Sequence, residues 1–356
     1  MRIVQIIDSL EAGGAERMAI NYANTLSKKI EFSGLIATRK EGSLLEQINK
    51  NVDYLFLGKK RKIDFKSILL LRKYIKTNNI DCIHAHSSSF FIAALIKINF
   101  PKVKIIWHDH YGISQDLLSR KNLTLKVASI FFTGIISVNS ALKDWAKRYL
   151  WCKNIIYLPN FIENSFDTND KVFLKGADGK RIVCVANLRP QKNHALLINV
   201  ANIIRNEFPD WSFHLIGKDF KDSYSDSLKK KVLDLKLTET VFFYGTINNV
   251  AAALKQSQIA VLPSLSEGLP LALLEYGQHK LPVVATNVGE ISKIISSEKI
   301  GLIVPSNDLN QFKEAIQKLI ENDIYRTLMG AELSKVIKLN YSDESVIEKY
   351  TEWLIL

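Results

Sequence analysis

Two carboxylates, Glu267 and Glu275, stand eight positions apart in SEGLPLALLE (266–275), with only small and apolar residues and a Gly-Leu-Pro turn between them. Ser264 and Glu267 match the S-x-x-E capping box. A helix capped at Ser264 would carry Pro270 as its sixth residue, where the missing N–H breaks the ladder. The helix therefore begins near Leu269 or Pro270, with Glu267 in the loop outside its mouth and Glu275 about one turn inside. Free amides and a positive dipole end make such a mouth an anion site. The flanking acids suit a ligand that carries hydroxyls as well as phosphate.

Three further polar clusters follow strand-like runs. EAGGAER (11–17) places Gly13 and Gly14 in a strand-to-helix turn where backbone can approach a phosphate or sugar closely. It is not G-x-G-x-x-G, so the dinucleotide fingerprint is absent. WHDHYG (107–112) sets His108 and His110 on either side of Asp109, read as a loop within reach of substrate. In HAHSSS (84–89), His84 and Ser87 to Ser89 read as polar caps of the next helix. The H-x-H pair completes no metal ligand set in the sequence. ANLRPQKNH (186–194) brings Arg189 and Lys192 toward a diphosphate. No D-x-D occurs, so neither a metal nor another cofactor is expected.

These clusters need a scaffold that gathers strand ends. Short apolar runs alternate with amphipathic helical segments along all 356 residues, which indicates parallel α/β architecture. The strand candidates are RIVQIID, GLIAT, VDYLFL, IDCIHAH, KIIWH, GIISV and IIYLP, then RIVCVA, SFHLIG, VFFYG, IAVLPS, PVVAT and GLIVP. They predict two Rossmann-like, doubly wound sheets facing a cleft, joined by the polar stretch 160–180. Cys82, Cys152 and Cys184 lack metal spacing and read as core residues of a reducing, cytoplasmic protein.

The charge is lopsided. Residues 1–165 hold 25 Lys+Arg against 13 Asp+Glu, and residues 166–356 hold 23 of each. Such a basic half suits anionic lipid or a phosphorylated substrate, and no zinc-finger or RNP-like signature supports nucleic acid. The longest nearly apolar run, ASIFFTGIISV (128–138), is too short to span a bilayer. SRKNLTLKVASIFF (119–132) mixes cations with apolar residues as an interfacial segment would, so docking at the inner face of the plasma membrane is expected.

The E-(x)7-E stretch, NLRPQKNH, the GGAER loop and their spacing together resemble the retaining glycosyltransferases of family 4, of GT-B fold, over essentially the whole chain. The resemblance implies an N-terminal acceptor domain (1–165), a C-terminal donor domain (166–340) and a last helix (341–356) packing back on the first domain. It implies that Glu275 binds the donor ribose and that Glu267 contacts the transferred sugar. The amides of Gly268, Leu269, Pro270 and Leu271 would lie along sugar and phosphate, with Tyr244, Gly245 and Thr246 near the base. His108 would contact the donor sugar, and Glu16, Arg17, His110 and Ser140 are candidates for the acceptor side. The family commonly has an Arg five residues before the phosphate lysine; here that residue is Asn187, and Arg189 stands nearby. The expected reaction moves a hexose-type sugar from a UDP- or GDP-linked donor to a glycan or polyprenyl-linked glycan in bacterial surface polysaccharide synthesis. A GT-B sugar-nucleotide 2-epimerase and a non-catalytic sugar-nucleotide or lipid binder are the alternatives.

Overall fold

The computed structural model describes residues 1–111, 117, 120–163 and 172–355. The apolar runs become strands because most are buried on both sheet faces, which the helices of a parallel sheet require; the edge strands Asp53–Phe56 and Ile155–Tyr157 stay partly exposed. In the first sheet these are β1 (Arg2–Ser9), β2 (Phe32–Lys40), β3 (Asp53–Phe56), β4 (Cys82–His86), β5 (Lys104–Asp109), β6 (Gly134–Ser137) and β7 (Ile155–Tyr157). Their order is β3-β2-β1-β4-β5-β6-β7, with parallel pairing throughout. The second sheet holds β8 (Arg181–Val185), β9 (Ser212–Ile216), β10 (Val241–Gly245), β11 (Ile259–Leu262), β12 (Val283–Thr286) and β13 (Leu302–Val304). Its order is β10-β9-β8-β11-β12-β13. In both sheets the order reverses beside the first strand, the doubly wound arrangement that places ligands at strand carboxyl ends.

The chain divides into two units, Met1–Asn164 with Asp343–Leu356, and Ser165–Ser342. The expected join at 165/166, and residues 164–171 of the polar stretch, lie outside the described residues. In the first unit, one sheet face packs Val4, Ile6, Ile83, Ile105 and Ile135 under the helices Phe65–Thr77, Phe90–Lys97 and Leu123–Ala128. The other face packs Ile7 and Leu35 under the helix Gly14–Leu26.

The helix Asp343–Ile355 completes this first core. Tyr350 is fully buried, with its ring 5.1 Å from Tyr22 and 5.3 Å from His84. Trp353 donates its indole N–H to Asn154 Oδ1 (2.8 Å), and its ring lies so close to β6 that a Cβ on Gly134 would come within 2.4 Å of it. In the second unit, Ile182, Phe213, Val261 and Val284 from four strands pack against Leu197, Ala201 and Ile204 of the helix His194–Glu207. All three cysteines are free and buried.

Candidate active site

β11 delivers the chain to the loop 263–270, and the helix Leu271–Gln278 starts directly after Pro270, which is extended (φ −71°, ψ 124°). No side chain caps this mouth. Glu267 lies before it and Glu275 one turn within, half-buried. The Ser264–Glu267 pair is real but is no helix cap: the Ser264 hydroxyl donates to Glu267 Oε1 (2.7 Å). Lys192, at the end of the turn Pro190–Lys192, donates to both Glu267 oxygens at 2.6 and 2.7 Å. The sequence reading sent Lys192 to a diphosphate; the structure brings it to Glu267, whose side chain is 6% exposed, and thereby offsets a carboxylate that burial alone would destabilise. An ammonium has three N–H donors, so this pairing still leaves one for a phosphate oxygen.

The loop is held by groups far away in sequence. Leu265 N–H donates to Gln191 O (2.8 Å), Thr286 Oγ1 to Ser264 O (2.5 Å) and Glu290 N–H to Gly268 O (3.0 Å). Gly289 adopts φ +61°, and a Cβ there would lie 2.3 Å from Glu267 O, so only glycine lets this backbone pass. Below the mouth, Tyr276 is fully buried and its hydroxyl accepts from Val185 N–H (2.7 Å), tying the helix to β8.

Asn187, which stands where the family commonly has Arg, uses its Oδ1 to accept from Lys218 N–H (2.8 Å). It braces a loop instead of supplying charge. Arg189 and Lys218 both lie over the Phe220 ring, at 4.6 and 5.3 Å. Lys218 is thus a second cation beside Arg189 that the sequence reading missed, since only the pairing of β8 with β9 brings it there. Tyr244 accepts from Lys175 N–H (2.9 Å) and bonds His214 Nδ1 (3.0 Å), while Gly245 has φ +66° at an irregularity of β10. Thr246 follows in the loop beyond that strand.

In the first unit, Gly13 is the N-cap of the helix Gly14–Leu26. Glu16 folds back over it, so that a Cβ on Gly13 would lie 2.2 Å from Glu16 Oε2. The anion nearest this mouth is therefore the protein's own. Arg17 N–H donates to Gly13 O (3.0 Å), inside the same first turn. Ser140 opens the helix Ser140–Tyr149, whose cap is Asn139, accepting from Leu142 N–H at 2.8 Å.

The histidines require a correction. His108 and Asp109 are strand residues of β5, paired with Ile136 and Ser137, and are 0% and 1% exposed. The loop expected at WHDHYG begins only at His110, because the ladder to β6 carries the strand two residues further than its apolar run. His84 likewise caps nothing: it lies in β4. The four imidazoles form a stack in which His84, His86 and His108 are buried and His110 is half-buried. His84 Nε2 and His108 Nδ1 are 3.1 Å apart, His86 Nδ1 and His110 Nε2 3.0 Å, and His86 Nε2 meets Gln5 Oε1 at 2.8 Å. His110 is the member that reaches a cavity of about 550 Å³ at the ends of β4 and β5, lined also by Phe90, Trp107, Tyr111, Arg120 and Lys121.

Among the described residues, His84, His86 and His108 are the group able to hold a metal, each offering one atom within 4.8 Å of the others. His84 Nε2, His108 Nδ1 and both His86 nitrogens are already bonded, whereas His84 Nδ1 and His108 Nε2 are buried without a hydrogen-bond partner; no carboxylate belongs to the group. A divalent charge there would be buried without compensation.

Burial and the neighbouring imidazoles hold His84, His86 and His108 well below the usual histidine range, and burial holds His110 at about 3. A histidine kept neutral in the folded state contributes stability that is complete above its unfolded value of about 6.5 and is lost as pH falls toward the folded value. Each such group sets a slope of up to about 1.4 kcal/mol per pH unit. Denaturant unfolding should therefore show a steep fall in stability from pH 7 to pH 5. A flat profile over that window would show that the stack is protonated at little cost.

Next to the stack, Arg120 forms a two-point ion pair with Asp109 (2.7 and 2.9 Å). Its guanidinium also lies 4.2 Å from the Trp145 ring centre and 4.4 Å from that of Tyr111. Burial pushes the Asp109 carboxyl up, while Arg120 pulls it down.

Known proteins bear on this geometry at three levels. Residues 12–166 match the family described as Glycosyltransferase Family 4, and residues 165–335 that described as Glycosyl transferases group 1. The chain is 25% identical over 352 residues to a UDP-Gal:alpha-D-GlcNAc-diphosphoundecaprenol alpha-1,3-galactosyltransferase of Escherichia coli, a match covering 91% of this chain and 89% of that one. It is also 25% identical to an uncharacterised glycosyltransferase of Haemophilus influenzae, over 95% of each chain. HepE of Anabaena, solved with UDP and glucose, superposes with a TM-score of 0.79 at 16% identity over 99% of each chain, a likeness of fold. The chain belongs to the glycosyltransferases of GT-B fold.

Proposed function

We propose that the protein transfers a hexose-type sugar, with retention, from a UDP- or GDP-linked donor to a lipid-linked glycan of a bacterial surface polysaccharide. One observation carries the donor half of this reading: a braced, uncapped helix mouth flanked by the Lys192–Glu267 pair on one side and Glu275 on the other. The N–H groups of Gly268, Leu269 and Leu271 and the remaining Lys192 N–H take the diphosphate as its charge develops on departure, Pro270 having no N–H to donate. Glu275 accepts two hydroxyl hydrogen bonds from the ribose. Glu267 receives a hydroxyl of the transferred sugar and, with the departing phosphate, supports the oxocarbenium-like transition state. Tyr244, Gly245 and Thr246 border the base, and Arg189 adds charge beside the diphosphate.

His110, at the cavity, replaces the buried His108 as the imidazole available to a ligand in the first unit. Support for a lipid-linked acceptor comes from the Escherichia coli relative, named for a diphosphoundecaprenol substrate, and from the basic N-terminal half. Among the described residues no helix is long and apolar enough to cross a membrane, so the enzyme would meet such an acceptor at an anionic bilayer surface.

Nucleotide release from a panel of UDP- and GDP-sugars, with and without a lipid-linked acceptor, tests the whole reading. Acceptor-dependent release supports transfer; release of the donor as an epimer, or binding without release, rejects it. Glu275→Gln should weaken donor binding by about 1.5–3 kcal/mol, the scale of one charge-assisted hydrogen bond, with little change in Tm. Unchanged affinity in calorimetry removes Glu275 from the ribose. EDTA should leave turnover nearly intact, since Lys192 and backbone amides offset the leaving charge without an ion. Loss on chelation that magnesium or manganese restores would end this metal-free account.

A further inference from the structure

In the first sheet the strand order reverses between β1 and β4, and open α/β sheets hold ligands in the crevice at such a point. Asp8 stands there, near the end of β1, and three other strand ends converge on it. Thr38 Oγ1, from β2, donates to one carboxylate oxygen, and Ser88 Oγ, just after β4, donates to the other (2.6 Å). Arg39 Nε of β2 lies 3.7 Å from Asp8, and Lys59 Nζ, three residues beyond β3, lies 3.8 Å from it. The cluster is built into the backbone. Lys59 N–H donates to Thr38 O (2.7 Å), directly after Gly58 turns the chain at φ +61°. Ser87 adopts φ +51°, a left-handed conformation uncommon for serine, and its carbonyl accepts from the Trp107 indole N–H (2.8 Å). That turn brings Ser88 onto Asp8.

These charges do not form a finished ion pair. In the same sheet Arg120 meets Asp109 at 2.7 and 2.9 Å, whereas both cations here stop beyond hydrogen-bond distance of Asp8. The Lys59 side chain is nevertheless only 5% exposed, and among the described residues Asp8 is the acid within ion-pair distance of it. A buried ammonium held this loosely is costly until an anion reaches it. Burial pushes it below the usual lysine range, and Asp8 recovers part of that loss. Two cations against one carboxylate leave one positive charge, which a phosphate would offset. Asp8 keeps 24% of its side chain exposed and has acceptor capacity left for an incoming hydroxyl. Ser88 also lines the cavity of about 550 Å³ that His110 reaches, so the cluster adjoins room for further sugar.

Resting on the proposed lipid-linked glycan acceptor, we infer that this cluster is a subsite for a phosphorylated sugar, in which Lys59 and Arg39 bind phosphate and Asp8 accepts a hydroxyl of the attached ring. The test is calorimetric titration of the full chain with the 1-phosphates of glucose, galactose and N-acetylglucosamine, with the free sugars, and with inorganic phosphate. At least one hexose phosphate is expected to bind more tightly than its free sugar or inorganic phosphate. Arg39→Gln, a change at an exposed side chain, should weaken that binding about tenfold or more, the effect of losing one charge-assisted hydrogen bond. Lys59→Met should do the same. Asp8→Asn should weaken hexose phosphate binding yet leave inorganic phosphate bound as tightly or more so, because it removes a like charge; a merely structural carboxylate would not divide the two. Affinity for the nucleotide-sugar donor should stay at the wild-type value in Arg39→Gln. Wild-type hexose phosphate binding in both cation variants overturns the subsite, as does binding of none of the three phosphates. Binding that Lys192→Ala removes and Arg39→Gln spares would put the ligand in the second unit and overturn it too. If the variants lose hexose phosphate while no acceptor is ever glycosylated, the subsite stands and the proposed reaction falls.

Discussion

Lys192→Ala is expected to lower turnover by about a hundredfold or more, the scale of one preorganised transition-state donor, roughly 2.7–4 kcal/mol. The lysine has two tasks that one substitution removes together. It holds Glu267, which is buried and otherwise bonded to Ser264, and it offers its remaining N–H to the leaving diphosphate. Loss of the first task leaves a buried carboxylate without its cation, so the variant should also melt lower. Lys192→Ala/Glu267→Gln separates the two: Tm should recover because no charge is stranded, while turnover stays low. Nucleotide release under saturating donor and calorimetric Tm are the measurements. A fully active Lys192→Ala would remove the lysine from the leaving-group role.

Arg120→Met should be the more damaging change for folding. Asp109 is 1% exposed and holds Arg120 through two bonds, so removing the guanidinium strands a charge in the core. Breaking a buried pair in this way typically costs about 3–5 kcal/mol. The carboxyl already sits above its usual range, and without Arg120 it rises further. A folded-state pKa above the unfolded one means that the folded state binds the proton more tightly, so acidification favours folding at this site. The difference between variant and wild type should therefore shrink as pH falls from 7 toward 5, with the histidine contribution cancelling in the comparison. Adding Asp109→Asn should restore most of the loss at neutral pH. Additive destabilisation in that cycle would show that the two residues act independently.

Both sheets were legible in the sequence because strands buried on two faces read as unbroken apolar runs, and every such run became a strand. The mouth before Leu271 was legible for a sharper reason: Pro270 excludes any earlier helix start. What escaped was set by distance along the chain. The end of β5 depends on the pairing of Asp109 with Ser137, so His108 looked accessible until its neighbour strand was known. Lys192 reaches Glu267 across 75 residues, and Gln191, Thr286 and Gly289 meet the loop from other strand ends. Arg120 was one cation in a basic stretch, and nothing local marked it as the partner of Asp109.

The placement of the helix Asp343–Ile355 has a consequence for synthesis. Its residues Tyr350 and Trp353 close the core around Tyr22, His84 and Gly134, all made more than two hundred residues earlier. Domains generally fold as they leave the ribosome, the N-terminal one first. Here the order is reversed at the last step: the second unit, Ser165–Ser342, is continuous and can finish before the first one can. Until the helix Asp343–Ile355 has emerged, the histidine stack waits beneath an open side of the growing chain. The part that is begun first is completed last.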